Sequence, residues 1–144
     1  VSMGAATVLM ASGEDLPGNV KAVIADCGYT SEWDEFRREA DALHIPWFPV
    51  LNATSVLSKI RDGYDFKQAS ALAQVKKSHI PTLFIHGSSD ELVPYSMLGE
   101  LYAAAACEKE ELTVEGAGHA LSSSVAPTLY WRTVEDFIAK HLDR

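Results

Sequence analysis

The sequence predicts an α/β fold, in which a parallel sheet is covered by helices. Three observations predict it. Short apolar runs rich in Val, Ile and Leu alternate with segments whose apolar residues recur at helical spacing. Each apolar run leads into a loop containing Gly with Asp, Ser or His. The composition is that of a globular chain: 144 residues, 47% hydrophobic and 22% charged, a length that suits one domain or part of one.

The elements follow in order. Residues 3–12 are small and apolar, good helix material, and Gly13 ends that helix. The loop "EDLPGN" leads to "VKAVIADCG", a short strand stopped by Asp26 and Gly28. "TSEWDEFRREADAL" is the next helix. Thr30 or Ser31 caps it, acids fill its first turn, and Trp33, Phe36 and Ala40 share one face. "HIPWFPVLNATS", with its two prolines, is irregular or a broken helix. "ATSVLSKIRDGYDF" is a short helix that turns at Asp62-Gly63, and "KQASALAQVKK" is another short helix. "IPTLFIHGSSDELVP" is the clearest strand-to-loop passage, its strand running from Thr82 to Ile85. A helix over "YSMLGELYAAAACEK" follows, with Met97, Leu98, Leu101 and Tyr102 as its core face. "EELTVEGAGHA" is a strand that ends at a glycine-flanked histidine. "APTLYWRTVEDFIAKHL" closes the chain as an amphipathic helix, with Pro127 near its first turn and Tyr130, Trp131, Val134 and Phe137 turned to the core. Three strands are thus visible. The first is apolar on both faces and so is expected to have sheet neighbours on both sides, one of them upstream of Val1.

Composition narrows the function classes. A net charge of −8 disfavours nucleic acid, since no basic patch is present to displace counterions from phosphates. Cys27 and Cys107 have neither metal-ligand spacing nor a disulfide-framework pattern and read as small hydrophobes. His44, His79 and His141 are scattered without ligand spacing, so no metal site is expected. No apolar run is long enough to span a bilayer as a helix.

Three residues stand where a parallel sheet places its chemistry, beyond the carboxyl ends of strands. Ser2 opens a helix, Asp90 follows the second visible strand and His119 follows the third. A serine hydroxyl needs a base, imidazole titrates near neutral pH, and a carboxylate behind it fixes its tautomer. A helix start beside Ser2 offers backbone N–H groups to a developing oxyanion, with the Met3 amide as first donor. Alternatives stand beside each role. Ser2 alone also reads as a helix cap. Asp26 also follows a strand and competes with Asp90 as the residue that orients the histidine. His86, before Gly87, reads as a support for the acid loop. Asp26 and Tyr29 read as pocket wall or the base of a cap. Trp47 and Phe48, with Tyr64 and Phe66, read as an apolar lid or as a helix packed on the sheet edge.

These residues also carry a resemblance. "VSMGA" fits the last four positions of the G-x-S-x-G nucleophile elbow, "FIHGSSDELVP" resembles the acid loop of α/β-hydrolases, and "GAGHA" resembles their histidine loop. With "IADCGYTSEWDEF" between them, they resemble bacterial α/β-hydrolases described as cell-surface hydrolases, related to the S9 prolyl-oligopeptidase-like and esterase branches. The resemblance covers residues 1–144 as the C-terminal part of a single domain, with a helical cap insert at 31–78. It implies that the first elbow glycine, the earlier strands and the second oxyanion donor lie upstream, in an N-terminal half this part would need as its partner. It implies a serine hydrolase that cleaves small-molecule carboxylic esters, with Ser2, Asp90 and His119 as triad and no cofactor. An S9-like peptidase and a non-catalytic fragment are the alternatives. An extracytoplasmic, membrane-anchored address is implied by the resemblance alone.

Overall fold

A computed structural model describes residues 1–142. The elements run α1 (Met3–Ala11), β1 (Val23–Asp26), α2 (Glu32–Ala42), α3 (Trp47–Asp62), α4 (Ala71–Val75), β2 (Thr82–Gly87), α5 (Ser96–Ala104), β3 (Lys109–Val114), α6 (Ser122–Val125) and α7 (Pro127–Leu142). The three strands form a parallel sheet in the order β1-β2-β3, as the alternation of strands and helices predicts. Asp26 pairs with Ile85 and Gly87 with Val114, so all three strands end at one edge of the sheet. Among the described residues β1 pairs with β2 alone. No helix there is long and apolar enough to cross a membrane.

Alternation along the strands feeds two cores. Phe84 packs with Val23, Ala25, Leu98, Leu101, Ala5 and Leu9 under α1, α4 and α5. Leu83 and Ile85 point the other way, with Leu112 and Val114, onto Tyr130, Val134 and Phe137 of α7. Each fully buried side chain of this size contributes about 1.5–3 kcal/mol. The stripe of buried residues on α7 is Tyr130, Val134, Phe137 and His141. Trp131, expected on that face, is instead 55% exposed, because one residue past Tyr130 turns about 100° around the helix. Cys27 and Cys107 are free thiols, the first buried and the second half-buried.

The segment between β1 and β2 leaves and rejoins the body at one place. Ser31 and Ser70 form an isolated bridge, Leu72 N–H donates to the Thr30 carbonyl at 2.9 Å, and Glu32 N–H donates to the Ala69 carbonyl at 3.0 Å. Ser31 caps α2, its hydroxyl accepting from Asp34 N–H at 3.1 Å. α3 breaks at Phe48 (φ −101°, ψ 128°), where Pro49 disfavours helical backbone in the residue before it. It then runs unbroken to Gly63, whose φ of 72° ends it. The short helix expected in "ATSVLSKIRDGYDF" before the turn at Asp62-Gly63 is therefore the body of a 16-residue element. α6 lies in "LSSSV", a four-residue helix too short to show periodicity in sequence.

Candidate active site

Ser2 stands between the end of β1 and α1, its N–H donating to the Asp26 carbonyl at 2.8 Å. Its backbone is strained for a side-chain-bearing residue, with φ 54° and ψ −124°. α1 packs closely on the turn after β1: Ala5 and Leu9 lie so near Gly28 that a Cβ there would meet both at 3.3 Å. As the first residue of α1, Met3 has no earlier carbonyl in the helix to bond, so its N–H is available at the helix end beside Ser2.

The acid loop begins where β2 ends. Asp90 Oδ1 accepts N–H bonds from Leu92 at 3.0 Å and Val93 at 2.9 Å, which fixes the carboxylate. Its Oδ2 lies 2.9 Å from His119 Nδ1 and 3.3 Å from His86 Nε2. His86 Nε2 also lies 3.0 Å from the Val93 carbonyl; a carbonyl only accepts, so that nitrogen carries its proton and supports the loop.

The histidine loop is stapled to the acid loop. Ser88 Oγ donates to Glu115 at 3.0 Å and accepts from Gly116 N–H at 2.9 Å, while Ser89 N–H donates to the Ala117 carbonyl at 3.0 Å. Gly87 makes this approach possible, since a Cβ there would overlap the Ala117 carbonyl. His119 Nε2 then lies 2.9 Å from Ser2 Oγ. With Asp90 ionised and accepting, His119 Nδ1 carries the proton and Nε2 presents its lone pair to the serine hydroxyl. A continuous Ser2–His119–Asp90 relay results, open to solvent at the half-buried imidazole. Such an arrangement can take a proton from the hydroxyl and hold the resulting imidazolium.

The other expected site residues fall in different places. Met3 and Tyr29 line a cleft of about 500 Å³ beside the relay, with Met10, Glu32, Tyr64 and Ser70 among its walls. Burial raises the pKa of Tyr29, reinforced by the neighbouring charges of Glu32 and Glu35, and burial alone raises that of Glu32. Asp26 is not on that wall. It is 3% exposed, and its carboxylate accepts from Ser122 Oγ at 3.1 Å. Nor does it orient His119, whose Nδ1 bonds Asp90. Burial raises the Asp26 pKa, against the opposing effect of hydrogen bonds from Ser122 and Tyr130. Trp47 lines a separate apolar groove of about 330 Å³ with Phe36, Leu43, Ile45, Val50 and Phe66. Phe48 is 65% exposed, edge-on to Trp47, and outside both hollows.

Sequence reasoning missed Ser88 and Ser122, and missed that Cys27, buried as expected, lies beside the relay. Cys27 is fully buried, with φ 48°, and burial pushes its thiol up to about 11. Its sulfur, a His119 nitrogen and an Asp90 oxygen lie within 4.8 Å of one another, the geometry of a possible metal-ligand group among the described residues. Two of those three residues are the ones the relay uses, so metal binding there and the relay exclude each other.

The chain is similar to known proteins in sequence and in fold. Residues 1–144 match the Prolyl oligopeptidase family, Peptidase_S9. The uncharacterized protein YqkD of Bacillus subtilis (strain 168) is 32% identical over 140 residues, which is 95% of this chain and 45% of YqkD. The chain thus spans less than half the length of that relative. The fold is shared with the acylaminoacyl peptidase of Pyrococcus horikoshii (TM-score 0.71, 17% identity, 99% of this chain and 23% of that one). It is shared equally with the Pyrococcus furiosus esterase Pf2001 (TM-score 0.69, 18% identity, 98% of this chain and 52% of that one). The family match runs along the whole chain and makes one conclusion: the chain belongs to the prolyl oligopeptidase family.

Proposed function

We propose that this chain carries the nucleophile, base and acid of a serine hydrolase that cleaves carboxylic esters of small molecules. The observation that carries the proposal is the relay with both links at 2.9 Å, ending on a serine held at φ 54°. Ser2 Oγ attacks the ester carbonyl while His119 Nε2 takes its proton. The Met3 amide, at the positive end of α1, donates to the oxyanion of the tetrahedral intermediate. Collapse expels the alcohol, which leaves with the proton from His119. Water then repeats the sequence on the acyl-enzyme and frees the acid. Asp90, anchored by two backbone amides, keeps His119 in the tautomer this requires. The cleft beside Met3 takes the acyl group or the alcohol, with Tyr29 on its wall. No cofactor enters any step.

Peptide bond cleavage is the second reading, favoured by the family match and by likeness to an acylaminoacyl peptidase. The same relay serves both reactions. Parallel assays of the full-length protein on nitrophenyl esters and aminoacyl-nitroanilides separate them, and preference for the ester is the expected result. A fluorophosphonate probe tests the mechanism itself. Labelling at Ser2 is expected in the full-length protein and is lost in Ser2→Ala and His119→Ala. Labelling of the full-length protein but not of the isolated 144-residue chain would mark the latter as a non-catalytic part.

A further inference from the structure

We infer that Asp26 is a positioning residue that sets the distance between nucleophile and base, binding the Ser2 backbone through its carbonyl and the histidine arm through its carboxylate. The inference rests on the serine hydrolase reading above. Asp26 ends β1, and its two polar ends reach two different loops. The carbonyl accepts the Ser2 N–H at 2.8 Å. The carboxylate Oδ1 accepts the Ser122 hydroxyl at 3.1 Å, and the Tyr130 hydroxyl also stabilises it. Ser122 begins α6, three residues after His119.

The link from Ser122 to His119 is short and stiff. Leu121 N–H donates to the Gly118 carbonyl at 3.2 Å, and Ala120 sits at a positive φ of 58°. Ser122 is fully buried and Asp26 nearly so, and in such a site a hydrogen bond holds its geometry against water. The carboxylate has no contact with the cleft lined by Met3 and Tyr29. It therefore acts on the reaction through Ser2 and His119, whose reacting atoms stand 2.9 Å apart. A misplacement of one ångström between reacting groups costs on the order of 10²-fold in rate.

The test measures kcat and KM of the full-length protein on an activated ester, with active sites counted by fluorophosphonate labelling. Ser122→Ala removes one hydroxyl and leaves the fold its volume, so it keeps the test open if Asp26→Ala folds poorly. Both variants are expected to lose roughly 10- to 100-fold in kcat per labelled site with KM nearly unchanged. Asp26→Asn, which keeps an acceptor for Ser122, is expected to restore most of that loss. The double variant Asp26→Ala/Ser122→Ala is expected to be no slower than the slower single variant, as for two residues acting through one bond. A wild-type kcat per labelled site in Ser122→Ala and Asp26→Ala, with only a lower melting temperature, would overturn the inference and leave Asp26 a stabilising residue. Ser2→Ala is the control that separates the two readings: persistent turnover there ends the hydrolase proposal, whereas its loss beside unaffected Asp26 and Ser122 variants ends only this one.

Discussion

The frame around β2 and the insert between β1 and β2 solve opposite problems. Every residue of β2 is buried, and the carboxylate beyond it is met by two backbone amides and two imidazoles. The two long helices of the insert have almost no interior. α2 buries none of its residues, and α3 buries only Leu51 and Ser55 while Phe48, Leu57 and Ile60 stand in solvent. A relay of hydrogen bonds needs fixed distances, and only a close-packed surrounding holds them. A surface that meets ligands needs reach and adaptable apolar area instead. Under the proposed function the frame serves chemistry and the insert serves selection, and the substitutions below test that division.

The largest effects belong to the frame. Ser2→Ala and His119→Ala are expected to abolish turnover, with losses on the order of 10⁶-fold, and Asp90→Asn to lose about 10⁴-fold through the wrong imidazole tautomer. Steady-state kinetics with the full-length protein check this. Comparable activity in Ser2→Ala would remove the frame's chemical role altogether.

Next comes Gly87, where the two functional loops touch. An alanine Cβ would overlap the Ala117 carbonyl, which is backbone and has little room to give. Gly87→Ala is expected to cost about 1–3 kcal/mol of stability by overpacking and to lower kcat as His119 shifts from Asp90. Denaturant melts paired with kinetics measure both. Wild-type values would mean that the staple between the loops is looser than its hydrogen bonds indicate.

Most of the frame was readable in the sequence because its signals are local. Apolar runs ending at Gly or Asp placed β1, β2 and β3, and the flanking glycines of His119 marked the loop that presents it. The Asp26–Ser122 bond was not readable. Its partners are 96 residues apart, and "LSSSV" has no periodicity to flag one serine over its neighbours. Asp26 was accordingly expected on the pocket wall, since a strand-end carboxylate reads alike whether its side chain turns to the cleft or to the core. The insert failed differently. Trp47 and Phe48 are adjacent and aromatic, yet one lines a groove and the other faces solvent, because the break at Phe48 redirects the chain within one residue.

The pH dependence of stability carries the comparison into electrostatics. Burial raises the pKa of Asp26 in the folded protein. A carboxyl raised on folding favours the folded state below its unfolded pKa, near 3.9, and loses that advantage as pH rises through the folded value. Asp26→Asn has no charge to desolvate. Its melting temperature relative to the native protein is therefore expected to rise as pH moves from about 4 toward 7. A difference independent of pH would show that Ser122 and Tyr130 fully offset the burial of the charge.

The smallest effects on stability belong to the insert, and there they separate selection from folding. Phe48→Ser removes an exposed ring whose contact is an edge-on approach to Trp47, with centroids 6.1 Å apart. It is expected to change stability by no more than about 0.5 kcal/mol, as exposed substitutions do. Trp47→Ala opens the groove it shares with Phe36 and Phe66, and it also frees the Arg37 guanidinium that lies 4.8 Å from the Trp47 ring. Turnover number on a short acyl ester is expected to hold in both, because neither residue lines the cleft beside Met3. A change confined to KM for long apolar acyl chains would make the groove an extension of the substrate site. That connection has a physical route, since Tyr64 lines the cleft and its ring lies 5.7 Å from Phe66 on the groove wall. A fall in kcat on short and long esters alike would instead couple the insert to the frame and break the division between them.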